Sequence, residues 1–364
     1  MLVGPLPPPS GGMANQTRQL AQLLAAEGCE VTTVQVNLPY RPAWIGHVRG
    51  IRAIFRLGAY VLRLRREIRH AELVHVMANS GWAWHLCAAP AIWMGSLRGV
   101  PVVVNYRGGD AEAFFARGFG RVRPTLARAR VVIVPSGFLQ RVFEKYGVAA
   151  RIVPNIVSLE AFRPADTTPA APHLLVARSL EPIYDVGTAL RAFAIVAERF
   201  RDACLTVAGS GPDREELGRL AQKLGVADRV RFTGSLENSE LPALYGAANI
   251  AVNSSLVDNF PISLLEAMAS GVPIVSTNVG GIPYLVEHER TALLVPPRNP
   301  VALANAVLRL FDDRSLALRL RVAGIEAAQR YAWPQVRADL FRVYAQACKQ
   351  TPAYSRGTGT TTAR

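Results

Sequence analysis

Between Asn253 and Gly281 the chain sets two carboxylates eight positions apart around a proline, as Asp258-Asn259-Phe260-Pro261 and then Glu266. Pro261 suits the first turn of a helix, where a backbone N–H has no intrahelical partner anyway. The amides from Asn259 to Ser263 then face out of a helix N-terminus, whose partial positive charge suits a diphosphate. Carboxylates make poor phosphate ligands but accept well from hydroxyls. Asp258 before the terminus and Glu266 inside the helix therefore suit a ligand with a phosphate centre and a polyol on either side, which describes a nucleotide sugar. In isolation the pair is also what an N-terminal helix residue and a solvated glutamate would give.

A second candidate lies near the start, where Leu2-Val3-Gly4 reads as a short strand leading to Ser10-Gly11-Gly12. A helix follows from about Ala14, with Leu20, Leu23 and Leu24 as its apolar face. Gly11 and Gly12 let the backbone come close to a ligand and again present helix N-terminal amides. The turn does not match the dinucleotide pattern G-x-G-x-x-G.

The elements that must position these residues are short β-branched runs alternating with helical patterns. In the first half the strands are expected at 31–36, 73–76, 101–104, 131–134 and 152–153, and in the second at 174–177, 205–208, 230–232, 250–252 and 274–276. The runs are apolar almost without interruption, as strands buried on both faces are. The expected fold is α/β, with two doubly wound, Rossmann-like parallel sheets facing across a cleft. The proline-rich stretch from Pro164 to Pro172 reads as a linker. Residues 1–165 then form a first domain and residues 166–331 a second. Trp333, Val336, Leu340 and Tyr344 recur at helical spacing, so a last helix over about 332–350 is expected to return to the first domain. The polar tail at 351–364 is expected to be disordered.

Together these residues resemble glycosyltransferase family 4, whose members have the GT-B fold and a motif of two glutamates separated by seven residues. Here it stands as Asp258-x7-Glu266, followed by Ala267-Met268-Ala269-Ser270-Gly271-Val272-Pro273. Gly11-Gly12, Val153-Pro154-Asn155, Ala177-Arg178, Gly209-Ser210-Gly211-Pro212, Gly234 and Gly280-Gly281-Ile282-Pro283 follow the family's order over nearly the whole chain. The resemblance implies a retaining transferase that moves a sugar from a nucleotide diphosphate sugar to a glycan or lipid-linked acceptor, with residues 1–165 as the acceptor side and residues 166–331 as the nucleotide-sugar side. It also implies that Glu266 binds the nucleotide ribose, Asp258 the donor sugar and Arg178 the diphosphate, where leaving-group charge grows. No D-x-D motif occurs, so transfer without a metal or other cofactor is expected.

Three positions depart from the family pattern. Asp258 stands for the first glutamate, and Glu181-Pro182-Ile183-Tyr184-Asp185 stands where a lysine usually follows the arginine. Asn105-Tyr106-Arg107-Gly108-Gly109-Asp110 replaces a segment that often carries a histidine. Arg107 is a candidate to make good the lost lysine from across the cleft, and Arg107, Asp110 and His85 are the acceptor-side candidates. Two other activities fit the same residues: a sugar-nucleotide epimerase of this architecture, and a binding protein that has lost turnover.

Charge separates the two halves. Residues 1–165 hold 20 Lys and Arg against 8 Asp and Glu, a net +12, and the remainder 21 against 19, a net +2. Such a field attracts anionic lipid headgroups or a lipid diphosphate. No aromatic-basic motif accompanies it, which argues against nucleic acid. Arg49, Arg52, Arg56, Arg63 and Arg66 share one helical face, and Ile51, Ile54, Phe55, Val61, Leu62 and Ile68 another, so a basic amphipathic helix is expected to lie on a membrane surface or pack on the sheet. The uncharged run from Leu73 to Leu97 is broken by Asn79, Ser80, Gly81, His85 and Pro90 and reads as strand, loop and buried helix rather than a membrane span. With no secretory leader and four scattered cysteines, the expected place is the cytoplasm or the inner face of its membrane.

Overall fold

The structure, a computed structural model, describes residues 1–8, 11–38, 51–165 and 171–349, without the side chains of 51–54. The core of the expected linker, the tail at 351–364 and Arg49 lie outside the described residues, as do the side chains of Ile51, Arg52 and Ile54 in the helix Ile51–Glu67.

Strands β1 (Leu2–Gly4), β2 (Thr33–Gln35), β3 (Val74–Ala78), β4 (Val102–Tyr106), β5 (Val131–Val134) and β6 (Arg151–Ile152) form one sheet in the order β2-β1-β3-β4-β5-β6. Strands β7 (His173–Ala177), β8 (Cys204–Ala208), β9 (Val230–Gly234), β10 (Ile250–Asn253), β11 (Ile274–Thr277) and β12 (Leu293–Val295) form a second, in the order β12-β11-β10-β7-β8-β9. Every pair of neighbouring strands runs parallel. Strand β12 has no counterpart among the sequence expectations.

The continuous apolar runs follow from burial on both faces. Along β4, Val102, Val104 and Tyr106 point toward Tyr60, Trp84 and Phe115, while Val103 points toward Leu20 and Leu24. Along β7, Leu174 and Val176 join one core and Leu175 another. Each such side chain, fully buried, contributes roughly 1.5–3 kcal/mol relative to exposure.

The last helix, Trp333–Lys349, packs Val336, Leu340, Val343 and Ala347 against Leu2, Val103 and Ile133 of the first sheet. The chain therefore passes between the halves twice. The two passages are tied to each other, since Val157 N donates to the Tyr331 carbonyl at 3.0 Å.

The run from Leu73 to Leu97 resolves into β3, a π-helical turn at Trp84–Ala88 and helix Ala89–Leu97. Among the described residues no helix is long and apolar enough to cross a membrane.

Strand order also fixes where a ligand can sit. In the second sheet the crossovers run from β7 to β8 and β9 on one side, then return to β10, β11 and β12 on the other. A parallel sheet opens a crevice at the carboxyl ends of its strands where that direction reverses. Arg178 directly follows β7, and the segment from Ser254 to Pro261 directly follows β10. In the first sheet the reversal falls between β1 and β3, so the Gly11-Gly12 turn and Asn79-Ser80 occupy the corresponding places.

Candidate active site

A cleft of about 620 Å³ lies between the halves, a size that suits a small-molecule site. Gly11, Gly12, Arg107 and Asp110 line it from the first half, and Arg178, Asp258, Asn259, Phe260, Pro261 and Glu266 from the second. Two helix N-termini converge there. A Cβ on Gly12, at the start of helix Gly12–Ala26, would lie 3.4 Å from Ile262 Cδ1, at the start of helix Ile262–Ala269. Pro261 sits one residue before that second helix, capping it rather than opening its first turn.

Neither acidic residue is solvated: Asp258 is 8% exposed and Glu266 7%. Asp258 receives a charge-assisted hydrogen bond from Arg178 Nη2 and another from the Asn259 amide at 2.9 Å. Burial raises its carboxyl above the ordinary value, and the Arg178 charge pulls the other way. Arg178 also lies against Tyr184, its guanidinium carbon 4.0 Å from the ring centroid, while its buried Nε has no hydrogen-bond partner among the described residues. Glu266 Oε2 and the Ser263 carbonyl each lie 3.0 Å from the Tyr245 hydroxyl. Burial lifts the Glu266 carboxyl to about 7.

The glycine motifs let these loops approach one another. A Cβ on Gly281 would collide with the Asn259 carbonyl, and one on Gly280, whose φ is +53°, with that of Asp258. The Gly281 amide instead donates to the Asp258 carbonyl at 2.9 Å. Side chains at Gly209 and Gly211 would likewise strike the Arg178 and Leu180 carbonyls, so the β8 loop can support the β7 loop only where both are glycine.

The first half reaches the loop from Ser254 to Pro261 through side chains. Ser136 Oγ donates to Asn259 Oδ1 at 2.6 Å, and Asn155 Nδ2 to the Phe260 carbonyl at 3.1 Å. The Phe260 ring itself turns away to pack on Tyr331. Arg107 Nη1 hydrogen-bonds Asn155 Oδ1 and lies 3.4 Å from Gln16 Oε1, and its Nε donates to Asn105 Oδ1 at 3.1 Å. Burial lowers this guanidinium to about 10.

The remaining acceptor-side candidates divide. Asp110 lines the cleft but is paired with Arg117 at 2.8 Å. His85 does not line it; the π-helical turn carries it outward, between the rings of Trp82 and Phe114. Tyr184, Tyr245, Ser136 and Gln16 were not anticipated. For Asn155 the Val153-Pro154-Asn155 motif was a usable signal, whereas nothing local marks the others.

Two doubly wound sheets that face each other across a cleft lined by helix N-termini, a guanidinium and buried carboxylates define a GT-B transferase. Residues 10–161 match the family model described as Glycosyltransferase Family 4, and residues 162–328 the one described as Glycosyl transferases group 1. The chain belongs to glycosyltransferase family 4. It is 28% identical over 333 residues to the D-inositol 3-phosphate glycosyltransferase of Streptomyces bingchenggensis, covering 84% of this chain and 69% of that protein. It is 27% identical over 375 residues to the GDP-mannose-dependent alpha-(1-6)-phosphatidylinositol monomannoside mannosyltransferase of Mycobacterium tuberculosis, covering 93% and 96%. In fold it is similar to sucrose-phosphate synthase from Thermosynechococcus elongatus, with a TM-score of 0.76, 22% identity and coverage of 95% and 98%. Anabaena HepE in complex with UDP and glucose superposes with a TM-score of 0.70 at 18% identity, covering 94% and 91%.

Proposed function

We propose that this glycosyltransferase moves a hexose from a nucleotide diphosphate sugar to a glycan or lipid-linked polyol held by its first half. The observation that carries the reading is the convergence of Arg178, Asp258, Glu266 and two helix N-termini in one cleft. Asp258 and Glu266 accept from the sugar and ribose hydroxyls. Arg178 and the amides from Asn259 to Ser263 meet the charge that grows on the β-phosphate as the glycosidic bond breaks. That division of labour requires no metal, and the family resemblance favours retention of anomeric configuration. A nucleotide-sugar panel followed by thermal shift tests it, because a ligand present well above its Kd raises the melting point. A shift with one donor, and transfer that survives a chelator, are expected. No shift with any nucleotide sugar would end the proposal, and turnover of donor without acceptor would identify an epimerase instead.

The acceptor lies at an anionic membrane surface, in the making of surface glycans or glycolipids. The relatives above act on inositol phosphate and on a phosphatidylinositol monomannoside. The net +12 of the first half supports the placement. So do Phe55, Leu62, Trp82 and Leu97, which are 57%, 69%, 78% and 73% exposed on that same half. Co-sedimentation with phosphatidylglycerol vesicles at low salt, and not with phosphatidylcholine vesicles, is the expected result.

A further inference from the structure

Arg107 and Arg178 are the two guanidiniums that line the cleft, beside the carboxylates of Asp110, Glu181, Asp258 and Glu266. Arg178 is already paired with Asp258. Among the described residues Arg107 meets no carboxylate. Its Nε and Nη1 go to the amide oxygens of Asn105, Gln16 and Asn155, and its Nη2 donates to no described group. A half-buried guanidinium without a counter-charge, opening into a cleft otherwise rich in carboxylates, is stabilised when an anion arrives.

A chain of buried groups holds Arg107 in place. Because Asn105 Oδ1 accepts from Arg107 Nε, the Asn105 amide must offer its Nδ2 to His75 Nε2, 3.0 Å away. His75 then carries its proton on Nδ1 and donates to the Tyr344 hydroxyl at 2.8 Å. Burial, aided by the nearby Arg107 charge, keeps this histidine neutral, with its value lowered to about 3. The last helix therefore fixes the amide that aims the guanidinium. On the other side, Asn155 links Arg107 to the Phe260 carbonyl, just before the helix whose amides open into the cleft.

We infer that Arg107 is the second cation for the donor diphosphate, gripping it from the first half while Arg178 grips it from the second. The inference rests on the nucleotide-sugar reading above and fills the place left where Glu181-Pro182-Ile183-Tyr184-Asp185 stands in this chain. The Arg107 head swings from Gln16 and Asn155 onto phosphate oxygens, and the Asn105 hydrogen bond to Nε serves as the pivot.

The test compares wild type with Arg107→Gln, using UDP and GDP and the corresponding monophosphates as probes in calorimetric titrations. The nucleoside diphosphate that wild type prefers should bind Arg107→Gln about 10- to 100-fold more weakly, as loss of a charge-assisted contact implies, with the monophosphate changed less than about threefold. An unchanged diphosphate affinity in a variant that keeps its melting point overturns the inference, and does so equally if the acceptor KM rises instead. If wild type binds neither, ADP, CDP and dTDP with their monophosphates take their place, and binding of no nucleoside diphosphate at all means that the nucleotide-sugar reading itself has failed. Should Arg107→Gln not fold, a crystal structure of wild type with the diphosphate decides. A phosphate oxygen about 3 Å from an Arg107 nitrogen supports the inference, and an Arg107 still bound only to Asn155, Gln16 and Asn105 overturns it.

Discussion

Arg178 and Asp258 pair directly across the carboxyl ends of β7 and β10, both nearly buried, with side chains 14% and 9% exposed. A pair of this kind is far more costly to break than to lack. Replacing Arg178 with Ala leaves the Asp258 carboxylate without its counter-charge and should lower unfolding stability by about 3 kcal/mol, measured by urea denaturation. Replacing it with Lys keeps the charge but loses the planar stack on Tyr184. We expect that variant to fold and to lose about 10²- to 10³-fold in kcat.

Glu266 makes stability and binding respond to pH in opposite directions. Burial lifts its carboxyl from the ordinary glutamate value of about 4.5 to about 7, so the native state holds the extra proton between those values. This contribution to stability is fully present below about 4.5 and is lost as pH rises through 7. Glu266→Gln should abolish that slope and, near pH 8, unfold up to roughly 3 kcal/mol less readily than wild type. If Glu266 holds the ribose as proposed, nucleotide affinity should instead rise with pH in wild type, because the ionised carboxylate accepts more strongly from hydroxyls, and should stay flat in the variant. Parallel slopes in the two proteins would show that Glu266 does not titrate in this range.

A methyl group at Gly281 tests the loop from Ser254 to Pro261 from behind. The Asn259 carbonyl would have to move, displacing the amides that face the cleft. We expect Gly281→Ala to keep its circular dichroism spectrum, to lose about 1–3 kcal/mol of stability and to bind the nucleotide at least about tenfold more weakly.

Ser136 serves two partners at once. It caps helix Gly137–Lys145 by accepting from the Leu139 amide at 3.2 Å, and it donates to Asn259 across the cleft. Ser136→Ala should cost about 1 kcal/mol for the cap and raise the donor KM by a few-fold. Ser136→Thr, which retains the hydroxyl, should restore both; a KM that stays high in it would assign the effect to packing.

The fold was legible because strands buried on both faces cannot hide their composition: β4 and β7 read as uninterrupted apolar runs. Strand β12 escaped because Leu293–Val295 is short and follows closely on a turn, and the π-helical turn at Trp84–Ala88 escaped because no local sequence signal separates it from the α-helix that continues it. Asp258 and Glu266 could be singled out by type and spacing, and Arg178 only through the family resemblance. Their burial could not, since it depends on Tyr245, Tyr184 and Ser255, which arrive from other elements. His75 is the clearest instance: in the sequence it is one polar residue within β3, and its role depends on Tyr344, 269 residues away.

The doubled passage between the halves has a mechanical corollary. Two covalent passages joined at Val157 and Tyr331 hold the halves together at one seam, and a ligand that bridges Arg107 and Arg178 would draw the halves toward each other about it.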